Sequence, residues 1–300
     1  MFVQGHFADA QIALEGAYAR IEENGQECMA LCCDFLSRRL SLCMNIKQRY
    51  SFEQRYMDLM KHHNSMWINI FNSTSAYYHA LQGKVDKIPE IFSQHRLSDI
   101  NMLAPGKPMM EMIENQVYLA QGAYAKVIGR SEGILAVCSA MHYALVALHV
   151  QIQTAAAYER IGKHGEARTI LKQALSDASK DHMVMPFVEN FDVLEPLLKK
   201  AAQQNSGEPE LLAKILELGA VYQENLKNIK HKASYIMGGK TLTAREAEIA
   251  NFVVQGRTNA EIAAEMFIAE ITVKKALQGI YRKLGVDTRL ELVMALNADM

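Results

Sequence analysis

LTAREAEIANFVVQGRTNAEIAAEMFIAEITVKKALQGIYRKLGV, from Leu242 to Val286, is the stretch that decides how this chain folds at its C-terminal end. With the residues that follow, it divides into four short amphipathic segments, Thr243 to Gln255, Thr258 to Met266, Glu270 to Leu284 and Thr288 to Leu296. Helices so short are marginal alone, so they must share one core. The three-residue connection before the third segment gives the bundle helix-turn-helix geometry, whose main use is to hold a helix in a DNA groove.

Capping chemistry marks the helix starts. Thr243 and Glu246, Thr258 and Glu261, and Thr288 and Glu291 each form a Thr-x-x-Glu pair able to satisfy orphan backbone donors reciprocally. Leu242, Ile249, Val253, Ile262, Val273, Leu277, Ile280, Leu292 and Leu296 recur at three- and four-residue steps and predict the core. The third helix keeps one polar, basic side made of Thr272, Lys274, Lys275, Gln278, Arg282 and Lys283, against the single acid Glu270. Lys and Arg neutralise phosphates with release of counterions, while Gln and Thr reach base edges. An isolated charged face is usually just solvated, but the tight turn, the caps and the basic helix together favour nucleic acid.

On these residues the stretch resembles the C-terminal DNA-binding domain of LuxR-type transcription regulators. The resemblance rests on Leu242, Thr243, Arg245, Glu246, Gly256, Thr258, Asn259, Glu261, Ile262, Ala263, Thr272, Val273, Lys274, Ile280, Lys283, Leu284, Gly285 and Val286. It implies a DNA-contacting set of Thr258, Asn259, Thr272, Val273, Lys274, Lys275, Gln278, Arg282 and Lys283, and pairing of two copies through the last helix. Departures occur at Ala269, where the family usually caps with Ser, at Ala276 and Gly279, where it usually places His and Asn toward the duplex, and at Ala260, often basic.

Upstream, Gly5, Gly83, Gly122 and Gly162 each precede by five residues a small or branched apolar residue, namely Ala10, Ile88, Val127 and Ala167. The spacing is consistent with a period near forty, with one copy near Asn45 lacking its glycine. Tyr158, Gly162, Ala167 and Ala174 resemble the spacing of tetratricopeptide repeats, here with longer helices, which implies an all-helical superhelix with a concave face. Leu148 to Lys200, notably Met185-Pro186-Phe187-Val188-Glu189, resembles the end of the repeat region in large MalT-type regulators. Those regulators carry an ATP-binding domain upstream. Here no Gly-x-x-x-x-Gly-Lys-Ser/Thr motif occurs, the nearest being Gly238-Gly239-Lys240-Thr241 with Ser234 at the first required position, so the chain reads as a short regulator or as a fragment.

The expected organisation of this all-α chain is a repeat domain over residues 1–200, a linker over 201–240 containing a capping helix at 210–230, and the helix-turn-helix over 241–300. The net charge of −1 supplies no global attraction for nucleic acid, so any affinity must be local. With no apolar run of membrane-spanning length and no signal peptide, the chain reads as cytoplasmic and without a membrane partner. Cys28, Cys32, Cys33 and Cys43 lie at apolar helical spacing without a Cys-x-x-Cys and are expected to pack. His62 and His63 diverge on a helix and make no ligand pair, and Trp67 is expected in the core. Met102, Met109, Met110 and Met112 are expected to fill core gaps rather than to form a binding surface. No catalytic or metal motif is present, so a non-enzyme without cofactor is expected.

Two function classes follow. One is a DNA-binding regulator whose repeat groove receives an unknown ligand or protein. The other is an interaction scaffold whose helix-turn-helix has lost its DNA contacts through Ala269, Ala276 and Gly279.

Overall fold

The computed structural model describes the chain apart from residues 25–26, 45–51, 62–64, 101–103, 205–207, 238–239, 267 and 299–300. The chain forms two compact units, Met1–Asn225 and Leu226–Met300. The first holds α1 (Phe7–Asn24), α2 (Glu27–Met44), α3 (Phe52–Met60), α4 (Ser65–Leu81), α5 (Glu90–Ser93), α6 (Lys107–Ala120), α7 (Tyr124–Ala140), α8 (Ala144–Arg160), α9 (His164–Ser179), α10 (Met185–Val188) and α11 (Phe191–Gln203). α12 (Pro209–Tyr235) spans the division, and the second unit holds α13 (Ala244–Val254), α14 (Asn259–Glu265), α15 (Glu270–Leu284) and α16 (Arg289–Ala298). The expected all-helical class is found; among the described residues, the one extended element is the antiparallel pair of β1 (Ile236–Met237) and β2 (Lys240–Thr241).

Tight left-handed turns organise the middle of the first unit. Gly122, His142, Gly162 and His182 follow one another at twenty-residue intervals with φ of 76, 55, 78 and 51°. The next residue closes each turn, its N–H donating to a carbonyl five residues earlier: Ala123 to Tyr118 (2.8 Å), Tyr143 to Cys138 (2.9 Å), Lys163 to Tyr158 (2.9 Å) and Met183 to Ala178 (3.0 Å). The forty-residue period is therefore two helices with two turns. Glycine marks only alternate turns because histidine accepts the strained conformation at the others.

Alternate helices pack side by side, α2 on α4, α4 on α6, α6 on α8 and α8 on α11, while α7 lies against α6 and α8, and α9 against α8. As the shared neighbour, α8 has its 148–157 stretch buried nearly all round, with Val150, Ile152, Ala155, Ala156 and Ala157 at 0% exposure. Small alanines there let adjacent backbones approach closely.

Polar groups tie this core together. Glu189, just after α10, accepts two hydrogen bonds from Arg39 of α2 (2.6 and 2.9 Å) and one from Tyr77 of α4 (2.8 Å). Next to it, Asn190 accepts from Gln116 of α6 (3.1 Å), whose own Oε1 accepts from Gln153 of α8 (3.0 Å). The Met-Pro-Phe-Val-Glu run thus ends in a polar clamp reaching four helices. A second buried group joins Arg55 to Asp34 (2.6 Å) and Tyr18 to Asp34 (2.6 Å).

α12 contains the expected 210–230 helix and continues through Tyr235, into residues anticipated as linker. Its first part packs flush on the first unit. A Cβ at Gly219 would stand 2.2 Å from the Phe191 ring, and one at Gly5, whose φ is +79°, would stand 2.6 Å from Leu218. Tyr222, three residues after Gly219 on the same helix, is buried.

Cys43 is buried as expected, and Cys138 is buried too; Cys32 is instead exposed and Cys33 half-buried, because α2 turns those positions away from its core face. Trp67 is half-buried against the cluster of Leu31, Leu59 and Phe71. Met110 and Met112 fill core, and Met109 is exposed. His62, His63, Met102, Gly238, Gly239 and the copy near Asn45 lie outside the described residues, as does the side chain of Cys28. Among the described residues no helix is long and apolar enough to cross a membrane, and no cluster of potential metal ligands occurs.

Candidate nucleic-acid interface

The second unit is held by one small core. Leu242, Ala247, Ile249, Ala250, Val253, Ile262, Ala263, Val273, Leu277, Ile280, Leu292 and Leu296 are buried together, with Met266, Ile268, Leu284 and Val286 packed around them. α13, α14 and α16 begin where the Thr-x-x-Glu pairs place them. Thr243 Oγ1 accepts from the Glu246 N–H (3.3 Å), and Glu246 Oε2 accepts from the Thr243 N–H (2.7 Å). Thr258 and Glu261 repeat both bonds at 3.3 and 2.7 Å. At α16, Thr288 accepts from the Glu291 N–H (3.1 Å), but the Glu291 carboxylate reaches one residue further back, to the Asp287 N–H (2.8 Å). These backbone donors lower the carboxyl pKa values of Glu261 and Glu291 below the usual range.

α15 starts without side-chain help. Ala269 has the extended backbone of a cap (φ −71°, ψ 143°) but no side-chain acceptor. The helix ends firmly, with Gly285 in the left-handed region (φ 72°) and its N–H donating to the Tyr281 carbonyl at 2.8 Å.

At about 100° per residue, Lys274, Lys275, Gln278 and Arg282 fall within roughly 100° of arc on α15, opposite the buried Val273, Leu277 and Ile280. All four are exposed. Lys275, Gln278 and Arg282 make no hydrogen bond or ion pair among the described residues, whereas Lys274 Nζ lies 2.9 Å from Glu270 Oε1 in an exposed pair one turn apart. Such pairs contribute ~0.5 kcal/mol and exchange readily for a phosphate.

Other expected contacts are placed differently. Val273 has 0% exposure, so it cannot meet a base; its branched side chain belongs to the core stripe. Lys283 Nζ lies 2.6 Å from Glu246 Oε2 and turns toward α13. Burial alone would raise the Glu246 pKa, but hydrogen bonds from Lys283 and Thr243 outweigh it and lower it. Thr258 is spent on its cap. Asn259 is half-buried, and its Oδ1 accepts from Arg289 Nη1 (3.1 Å), while Arg289 Nη2 also donates to the Arg257 carbonyl. Thr272 is exposed.

The expected losses at Ala276 and Gly279 also need correction. Ala276 packs against the core, and Gly279 is half-buried, with the Glu246 carboxylate 3.6 Å from where its Cβ would lie. Neither sits at the centre of the exposed face. The residue that does is Ile271, which is 60% exposed and which an apolar-spacing reading assigns to no function. Helical angle measured from the basic residues, rather than from the core, would have found it.

Comparison with known proteins agrees with this geometry. Residues 240–296 match the family described as bacterial regulatory proteins, luxR family. The chain is 35% identical over 120 residues to the transcriptional regulatory protein LiaR of Bacillus subtilis, a match covering 37% of this chain and 54% of that protein. It is 28% identical over 151 residues to the HTH-type transcriptional regulator MalT of Serratia proteamaculans, and 26% to that of Cronobacter sakazakii, covering 45% of this chain and 17% of each. The chain thus spans about half of the first relative and about a sixth of the MalT proteins. No solved structure matches. The C-terminal unit carries a LuxR-type helix-turn-helix.

Proposed function

We propose that this chain is a transcription regulator that binds double-stranded DNA through α15 and is controlled by a ligand or protein received in its first unit. The observation that carries the DNA reading is the outward face of α15, where Lys275, Gln278 and Arg282 have no partner among the described residues and lie opposite a complete core. Cations free of internal partners release counterions on meeting phosphates, and an unpaired amide can read a base edge. The relatives' printed roles, in transcriptional regulation, support the same reading and favour a non-enzyme.

Leu290 and Met294, one turn apart on α16, are 65% and 60% exposed. That apolar pair suits a second copy of this helix, which would present two α15 helices to half-sites about one helical turn apart.

For the receiving site, one candidate is a cavity of about 510 Å³ in the first unit, lined by His95, Glu111, Glu114, Tyr118 and Arg130 among others. His95 stacks on Tyr118 with ring centroids 3.8 Å apart, and Arg130 pairs with Glu114.

The scaffold alternative rested on three departures, of which only Ala269 bears on the exposed helix start. A titration of the full chain against bulk duplex at two salt concentrations tests the choice. Binding that weakens steeply as salt rises supports the regulator; no binding even at low salt rejects it in favour of the scaffold.

A further inference from the structure

Ile271 stands in the first turn of α15 with 60% of its surface exposed, an apolar side chain amid charge. At about 100° per residue, Gln278 and Arg282 lie within roughly 20° of its direction, and Lys275 and Lys274 flank it at roughly 40° and 60° on opposite sides. Val273, Leu277 and Ile280, the core stripe, lie on the far side of the helix. Ile271 therefore lies outside the core of this domain, and Ala would form helix slightly better in its place.

Such a side chain occupies the centre of a basic face, not its edge. In a major groove about 12 Å wide the flanking lysines reach phosphates on either side, and the middle of the face meets the floor. Gln278, about 10 Å further along the axis, supplies hydrogen bonds there. An isoleucine has none to give or take. What it can recognise is the one apolar group that a base pair presents in that groove, the C5-methyl of thymine. Against cytosine it would leave the exocyclic amine unpaired, and against the oxygen and nitrogen of guanine it would strip water without replacing it.

We infer that Ile271 is a specificity-determining residue that selects thymine, by its methyl group, near the N-terminal end of α15 in the bound duplex. The inference rests on the DNA reading above and adds to it which base is selected and by which side chain. Lys274, Lys275 and Arg282 supply the charge complementarity that commits this face to a duplex.

The full-length chain is first used to select duplexes from a random library. Each thymine in the selected motif is then replaced in turn by deoxyuridine, which lacks only the methyl group, and binding of wild type and Ile271→Ala is compared. One thymine per half-site should lose roughly fourfold in affinity on replacement, the value of one buried methyl, with wild type, and no more than a marginal amount with Ile271→Ala. The variant should keep the wild-type salt dependence. If the wild type selects a motif but no thymine responds to loss of its methyl, or Ile271→Ala responds as the wild type does, the inference is overturned while DNA binding stands. If the wild type enriches no sequence and shows no salt-sensitive binding, the DNA reading itself falls and takes this one with it.

Discussion

Lys283 Nζ lies 2.6 Å from Glu246 Oε2, so the last turn of α15 is joined to the first turn of α13 by an ion pair. Glu246 already caps α13 through the Thr243 N–H at 2.7 Å, and one carboxylate thus serves both helix starting and helix packing. The basic side of α15 is consequently not uniform.

Phosphate binding should follow that difference. Lys275→Ala, which removes an unpaired cation, should reduce the slope of log affinity against log salt by about one unit. Lys283→Ala should change it by less than half as much and should loosen the domain instead. Fluorescence anisotropy on one duplex across a salt series reads both slopes; equal losses would mean that the Glu246 pair opens on the duplex.

The start and middle of α15 can be strengthened. Ala269→Ser supplies a missing cap on a backbone already in cap geometry and should add ~1 kcal/mol. Gly279→Ala meets only ordinary contact at 3.6 Å and should add a similar amount, about 1 kcal/mol, through helix propensity. Slower amide exchange along α15 in the full chain is the expected sign, and faster exchange would show that the site resists a methyl group.

In the first unit, the Arg39–Glu189 pair is buried, with 8% and 1% of the side chains exposed. Glu189→Gln leaves the guanidinium without its counter-charge and should destabilise by ~3–5 kcal/mol, while Arg39→Met combined with Glu189→Met should cost less than the sum of the single changes. Urea unfolding followed through Trp67, the only tryptophan of the chain, isolates this unit. Strict additivity would show that the two groups act independently.

Acid should weaken the same unit. Burial, reinforced by Lys84 and its neighbours, pushes the His79 pKa down to about 4, and burial beside Arg39 holds that of His149 well below the usual value. Both are therefore neutral when folded, while the unfolded chain takes up protons as pH falls below about 6.5. Stability should be level above about pH 7 and fall between about pH 6.5 and pH 4. His149→Gln should shrink that fall in the Trp67-monitored urea midpoint; an unaltered pH profile would remove His149 as a contributor.

Helix starts, core stripes and the forty-residue period were all legible in the chain, since capping boxes, apolar spacing and left-handed turns act over fewer than six residues. Even the period was half hidden: His142 and His182 occupy turns where glycine would have announced itself. What Ala276 and Gly279 face is not legible in the chain, because a family pattern specifies position along a helix and not the neighbour that position meets.

What the order of residues determined by itself was local: where each helix begins, which stripe it buries, and that the C-terminal unit is a basic helix-turn-helix. Tertiary structure alone decided that Lys283 answers to Glu246 and Asn259 to Arg289, and that Glu189 gathers Arg39 and Tyr77. The physical reason is sequence distance. Those partners lie 30 to 150 residues apart, and pairing between groups so separated depends on how whole helices pack, which no short window of the chain encodes.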